Sequence, residues 1–122
     1  MSAAPELSVV VPVMNEVDNA VPLLKEICAA LRGKVAFEVV FVDDASKDGT
    51  VASLKAAQAQ NPELRVLRHA KNSGQSRAVR SGVLAARGTL IATLDGDGQN
   101  DPADIPDLLA MWRKEVAGNP PL

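Results

Sequence analysis

At 122 residues, 47% of them hydrophobic and 23% charged, the chain has the makings of one soluble globular domain, near the lower size limit for an α/β enzyme. A formal charge of −2 at pH 7 argues against a general nucleic-acid binder, which carries a basic excess, so no nucleic-acid partner is expected. No stretch approaches the ~20 apolar residues of a membrane span, and the opening "MSAAPELS" lacks the basic and apolar regions of a secretion signal. A cytoplasmic chain is the expectation.

Hydrophobic period then alternates along the chain. "LSVVVPV" (7–13) is a continuous β-branched run, expected for a strand buried on both faces. Val17, Val21, Leu24, Cys28 and Leu31 recur at helical spacing, with Gly33 placed to end that helix. The lone Cys28 has no internal disulfide partner and reads as core packing. "FEVVFV" (37–42) predicts a second strand, and a helix from about Thr50 carries Val51 and Leu54 and stops before Asn61-Pro62. "LRVLRHA" (64–70) predicts a third strand. Gln75 to Arg87 predicts a third helix with Val79, Gly82, Val83 and Ala86 on one face. "TLIATL" (89–94) is the fourth strand, and Ile105 to Val116 a last helix with Pro106 in its first turn. Strands and helices in strict alternation imply an α/β fold with a parallel sheet, right-handed crossovers and helices on both faces.

In such sheets ligands bind beyond the carboxyl ends of the strands. Four polar loops fall there: "PVMNE" (12–16), "DDASKDGT" (43–50), "AKNSGQS" (70–76) and "DGDGQNDP" (95–102). The first loop has no glycine, which excludes a G-x-G-x-x-G dinucleotide site, and no G-x-x-x-x-G-K-[ST] phosphate loop is present. A receiver domain is disfavoured because its acidic pair follows the first strand, whereas here Asp43 and Asp44 follow the second. Asp95 and Asp97, one residue apart at a strand mouth with Gly96 between them, suit a hard divalent cation such as Mg²⁺ or Mn²⁺ that shares its oxygen ligands with phosphates. A basic run bears on the anion as well. Between Leu64 and Leu94 there is no acidic residue, while Arg65, Arg68, Lys71, Arg77, Arg80 and Arg87 all fall there, as a solvated face or an anion-facing one.

"SVVVPVMNE", "VVFVDDASKDGT", "NSGQSRAVRSGVLAARG" and "LIATLDGDGQNDPADIP" together resemble the N-terminal half of a family 2 glycosyltransferase, in particular the polyprenyl-phosphate (dolichyl- or undecaprenyl-phosphate) sugar transferases. The resemblance runs from about Leu7 to Leu109 and implies the three-layer, Rossmann-like GT-A fold. It implies that Pro12, Asn15 and Glu16 cup the base and ribose of a nucleotide-diphospho-sugar donor, with Met14 where an aromatic residue often stands. It further implies that Asp43 and Asp44 contact base or ribose, and that Asp95 and Asp97, joined by Gln99, hold the metal. Helix capping is the competing role for Asp43 and Asp44; Ser46, Asp48 and Thr50 are available for it, which would leave the pair to a ligand. Asp101 reads as a turn and cap residue, and Arg77 and Arg80 either approach phosphates or are solvated.

The implied chemistry is metal-dependent transfer of a sugar with inversion, to a lipid phosphate acceptor in the polyprenyl-phosphate branch, by a protein working at the cytoplasmic face of a membrane. Family catalytic domains run to roughly twice this length, so residues 1–122 correspond to the N-terminal part of such a domain. A donor-binding fragment without turnover is therefore the alternative function. The expected strand order, 3-2-1-4, leaves "TLIATL" as an uncharged edge beside Leu108, Leu109, Met111 and Trp112, which predicts a homodimer.

Overall fold

The computed structural model describes residues 4–95. The elements are β1 (Leu7–Val13), α1 (Ala20–Leu31), β2 (Phe37–Asp43), α2 (Thr50–Ala57), β3 (Leu64–Arg68), α3 (Gln75–Ala85) and β4 (Leu90–Thr93). All four described strands are parallel, as the alternating pattern requires, and they follow the order β3-β2-β1-β4 that the family resemblance implies. β1 and β2 align residue for residue from Leu7 opposite Phe37 to Val13 opposite Asp43, so their carboxyl ends finish level. The last helix expected over 105–116 lies outside the described residues.

Alternation along the two central strands divides the core in two. Val9, Val11, Val39 and Phe41 pack with Leu23, Leu24, Ile27, Leu31 and Leu54, under α1 and α2. Val10, Val40 and Val42 face the other way, against Ala78 of α3. This gives the three layers expected of an α/β fold, and it explains why β1 and β2 read as unbroken apolar runs: neither face meets water. Cys28 is buried in the first layer, and burial pushes its thiol up from its ordinary value, consistent with a packing role.

Two helix faces differ from the expected ones. α1 begins at Ala20, so Val17 lies outside it and is 37% exposed; the buried face is Ala20, Leu23, Leu24, Ile27, Cys28 and Leu31. In α3 the buried residues are Ala78 and Gly82, while Val83 is 38% exposed. A small residue at Gly82 is what lets α3 lie close to the sheet, because a Cβ there would stand 2.3 Å from Val10 Cγ1. β3 ends at Arg68, two residues earlier than its apolar run suggested, and β4, last in the order of the described strands, is half exposed in alternation.

At the amino end of the sheet a buried carboxylate ties three elements together. Glu38, 5% exposed, accepts from the Ser8 hydroxyl at 2.6 Å, from the Arg87 amide at 2.6 Å and from Arg65 Nη1 at 2.8 Å. The same Arg65 nitrogen donates to the Ala85 carbonyl at 2.9 Å, which anchors the end of α3. Arg65 therefore belongs to an internal ion pair at the end of the sheet remote from the loops, and the basic run of the sequence does not form one surface. Burial alone would raise the Glu38 carboxyl, and the bonds from Ser8, Arg87 and Arg65 outweigh it, holding the group below its ordinary range. A depressed folded pKa contributes stability above the unfolded value, and that stability is lost as pH falls through the folded one. Glu38→Ala is expected to cost about 2 kcal/mol at pH 7, less than a fully buried pair because Arg65 keeps some water. Urea midpoints should show the gap between variant and parent closing below about pH 4; a gap that persists there would contradict the assignment.

Candidate functional site

The loops after β1, β2 and β3 meet at the carboxyl edge of the sheet. Asn15, with φ of 53°, turns the chain after β1 in the left-handed region that asparagine tolerates. Its amide donates to Ser46 Oγ at 2.8 Å and its side-chain oxygen accepts from the Lys47 amide at 2.8 Å. The Glu16 amide donates to Thr50 Oγ1 at 3.0 Å, and the Val17 amide donates to Asp48 Oδ2 at 3.2 Å. The first loop is thus sewn to the start of α2. Asp48 also accepts from the Thr50 amide at 2.9 Å and from the Thr50 hydroxyl. The Thr50 hydroxyl bond is the first cause of the lowered Asp48 carboxyl.

The acidic pair divides its labour. Asp43 is fully buried and accepts from the Ser46 amide at 2.9 Å and from the Ser46 hydroxyl, so it builds the turn that Ala45 completes at φ 60°. The expectation that neighbouring cap residues leave both aspartates to a ligand does not hold for this one. Asp44 is 4% exposed yet lines the cleft. It accepts from the Ser73 amide at 2.8 Å and from His69 Nδ1 at 2.9 Å on Oδ1, and from the Gly74 amide at 2.8 Å on Oδ2. Burial would raise this carboxyl; the Ser73, His69 and Gly74 bonds outweigh it and hold it below the ordinary carboxylate range. Asp44 is an anion at neutral pH, clamped to the loop that starts α3. Gly74, at φ 95°, is the residue type that this loop conformation demands.

A cleft of about 350 Å³ opens between these loops. Pro12, Met14 and Glu16 line it from the β1 side, Asp44 from β2, Asn72, Gly74 and Gln75 from the loop before α3, and Asp95 from the end of β4. Glu16 keeps one oxygen on Asn19 Nδ2 at 2.8 Å, and Gln75 Nε2 donates to Asp95 Oδ1 at 3.2 Å. Of the residues proposed from sequence, Pro12, Glu16, Asp44 and Asp95 therefore share one cleft. Asn15 and Asp43 support its loops from outside the lining. Arg77 and Arg80 are exposed on α3 and do not line it, and Asp97 and Gln99 lie outside the described residues. Sequence reading named the loop 70–76 but missed His69 just before it and the parts played by Asn72 and Gln75. The only available signal was position, polar residues at the carboxyl end of a predicted strand.

Three carboxylates, Glu16, Asp44 and Asp95, thus stand at the mouth of a parallel sheet, and the sequence has no glycine-rich phosphate loop. The family model for glycosyl transferase family 2 matches residues 8–119. The chain belongs to that family. It is 41% identical to a dodecaprenyl-phosphate galacturonate synthase from Rhizobium johnstonii, over 89% of this chain and 36% of that protein. It is 40% identical to an undecaprenyl-phosphate 4-deoxy-4-formamido-L-arabinose transferase from Pseudomonas fluorescens, over 86% of this chain and 32% of that protein. The chain thus spans about a third of the length of these relatives.

Solved structures agree on the fold. The mannosyltransferase PcManGT from Pyrobaculum calidifontis, in complex with GDP-Man and Mn²⁺, superposes with a TM-score of 0.76 and 26% identity over 95% of this chain and 33% of its own. S. aureus TarS in complex with UDP-GlcNAc gives 0.78 and 27% over 90% of this chain and 32% of its own. The architecture is that of the GT-A glycosyltransferases. Among the described residues no group of three or more His, Cys, Asp or Glu stands together as a metal cage. The donor set facing the cleft is all oxygen in its charged members, and exposed Asp95 is free of the burial that Asp44 undergoes. That chemistry fits a hard divalent cation shared with a ligand's phosphates.

Proposed function

We propose that the cleft binds the nucleotide diphosphate of a sugar donor, and that the chain is the donor-binding, N-terminal part of an inverting glycosyltransferase catalytic domain whose acceptor is a polyprenyl phosphate. The observation that carries this reading is the division of carboxylates at the sheet edge. Asp44 is desolvated and clamped where a base or ribose would need a fixed acceptor, and Asp95 is exposed where charge could be shared with a metal and a diphosphate. Two structural neighbours, one in complex with GDP-Man and Mn²⁺ and the other with UDP-GlcNAc, and the lipid phosphates in the relatives' names support it.

Each residue then has a physical task. Pro12 and Met14 offer apolar surface to the base, Glu16 and Asp44 offer hydrogen-bond acceptors, and Asn15 and Asp43 hold the loops so that little ordering remains to be done on binding. Asp95, Asp97 and Gln99 would hold Mg²⁺ or Mn²⁺, which when bound supplies charge neutralisation for a diphosphate leaving group. A lipid phosphate is already anionic and asks little of a general base. No helix among the described residues is long and apolar enough to cross a membrane.

A thermal-shift panel of nucleoside diphosphates with and without Mn²⁺ tests the reading, since a ligand of the folded state raises apparent stability by RT ln(1 + [L]/Kd). Metal-dependent stabilisation is the expected result, and none with any nucleotide would reject it. Asp95→Asn and Asp97→Asn are each expected to weaken metal-dependent binding at least about tenfold, or about 1.4 kcal/mol. Unchanged binding in both would remove them from the site. Labelled sugar nucleotide with a polyprenyl phosphate separates transferase from donor-binding module: the chain alone is expected to show little turnover, because positioning both substrates supplies much of the rate.

We also propose that the chain pairs with a second copy through β4. Its strand has a neighbour only on the β1 side among the described residues, and Ile91 is 41% exposed on it. Light scattering is expected to give twice the 12.8 kDa chain mass, reverting on Ile91→Lys; a monomer, or a dimer indifferent to that change, would rule the contact out. The residues around Trp112, expected to share this interface, lie outside the described residues.

A further inference from the structure

Asp44 is also gripped by a histidine, His69, which does not line the cleft. His69 follows β3, and its backbone amide donates to the Asp43 carbonyl at 2.8 Å, which fixes the ring beside the acidic pair. The ring stands between two partners, with Nδ1 2.9 Å from Asp44 Oδ1 and Nε2 2.8 Å from Ser81 Oγ on α3. An ionised carboxylate can only accept, so the Nδ1 proton points to Asp44; in the neutral ring Nε2 then accepts the Ser81 hydroxyl proton. Ser81 thereby selects the tautomer and the ring angle that Asp44 needs.

A carboxylate has about four lone-pair sites, two on each oxygen. Oδ1 takes two protons, from the Ser73 amide and from His69 Nδ1, and Oδ2 takes one, from the Gly74 amide. One acceptor position remains, on Oδ2, in a carboxylate that lines the cleft. We propose that His69, held by Ser81, is a positioning residue that saturates Asp44 Oδ1 and leaves one acceptor for the edge of the donor's base, so that the site takes uracil over guanine. The proposal rests on the donor-nucleotide reading and adds the base to it. Uracil presents a single imide N–H, which one acceptor satisfies. Guanine presents N1–H and the adjacent N2 amino group, which pair with a carboxylate through both oxygens; with Oδ1 filled, the second donor would be desolvated and unpaired.

The test is calorimetric binding of UDP and of GDP, each with Mn²⁺, to the chain and three variants. The unchanged chain is expected to bind UDP at least about tenfold tighter than GDP. His69→Ala empties one position on Oδ1, so the UDP-to-GDP preference is expected to fall toward unity, with UDP itself weakened. His69→Asn, whose amide nitrogen can take the place of Nδ1, is expected to keep the preference within about twofold. A histidine that merely supported the fold would lower both affinities together, so an unchanged preference in His69→Ala overturns the proposal. GDP binding as tightly as UDP to the unchanged chain overturns it too. Should His69→Ala fail to fold, Ser81→Ala releases the ring from its other side and is expected to reduce the preference about two- to threefold; no change overturns the relay.

Failure of both nucleotides to bind the unchanged chain would sink the donor-site reading, and with it the base preference. The relay would then be judged in the ligand-free protein. His69 is the only histidine of the chain, so its ring nitrogen NMR signals are free of overlap. A proton on Nδ1, with Ser73 and Gly74 amide exchange quickened in His69→Ala and not in His69→Asn, supports it. A proton on Nε2 alone, or exchange indifferent to both variants, overturns it.

Discussion

Gly82→Val should cost the chain 3 kcal/mol or more, roughly the top of the range for forcing methyl groups into a packed core. A Cβ at this position would meet Val10 Cγ1 at 2.3 Å and Val42 Cγ2 at 3.0 Å. Neither can yield cheaply: both valines are fully buried on the two central strands, and β-branched side chains have few rotamers to retreat into. Relief therefore requires α3 to lift from the sheet. That would draw Ser73 and Gly74 away from Asp44, so the site should loosen together with the core. Gly33→Ala is the control, because its Cβ would meet nothing within 4 Å and only the φ of +80° opposes it; about 1 kcal/mol is expected. Urea denaturation followed by circular dichroism gives both values. Equal costs for the two variants would show that the close approach of α3 is not what Gly82 provides.

Asp44→Asn should abolish measurable nucleotide binding at micromolar protein while leaving a folded chain about 1–3 kcal/mol less stable, the range for a buried polar group turned against its partners. The asparagine amide has one acceptor oxygen where the carboxylate has two. Whichever way it turns, its NH₂ faces Gly74 N–H on one side or Ser73 N–H and His69 on the other. At 4% exposure water cannot repair the mismatch. Acid should reproduce part of the effect in the unmodified chain. The Asp44 carboxyl sits below its ordinary value because the Ser73, His69 and Gly74 bonds outweigh its burial, so its contribution is full above the unfolded pKa, about 4, and is lost as pH falls through the lower folded one. Fluorescent-nucleotide titration and urea midpoints at pH 7 and pH 3.5 check the two halves. Wild-type affinity in Asp44→Asn would remove the carboxylate from the site.

Much of this arrangement was legible in the amino-acid sequence. The unbroken apolar runs of β1 and β2 mark strands covered on both faces, their alternation with helices requires parallel pairing, and parallel pairing gathers the loops at one edge. Pro12, Glu16, Asp44 and Asp95 meet in the cleft for that reason alone: each sits at or just past the carboxyl end of a strand, and four strands in register bring those ends together. Gly82 fell on the face read from helical spacing, but its buried companion Ala78 did not, and Val83 of that face is exposed.

What only the tertiary structure decided are partnerships between side chains far apart in sequence. That Asp43 turns inward to Ser46 while Asp44 turns to the cleft depends on the pleat, which sends consecutive residues to opposite faces, and on what each face meets. Arg65 belongs to Glu38 and not to a basic surface because the register of β2 on β3 sets them near each other across 27 positions. His69 reaches Asp44 across 25 positions and Ser81 across 12 only once α3 has settled on the sheet. Periodicity reports which way a residue faces relative to its own element. Which atom it finds there is set by register and helix placement, and those are properties of the whole packed core.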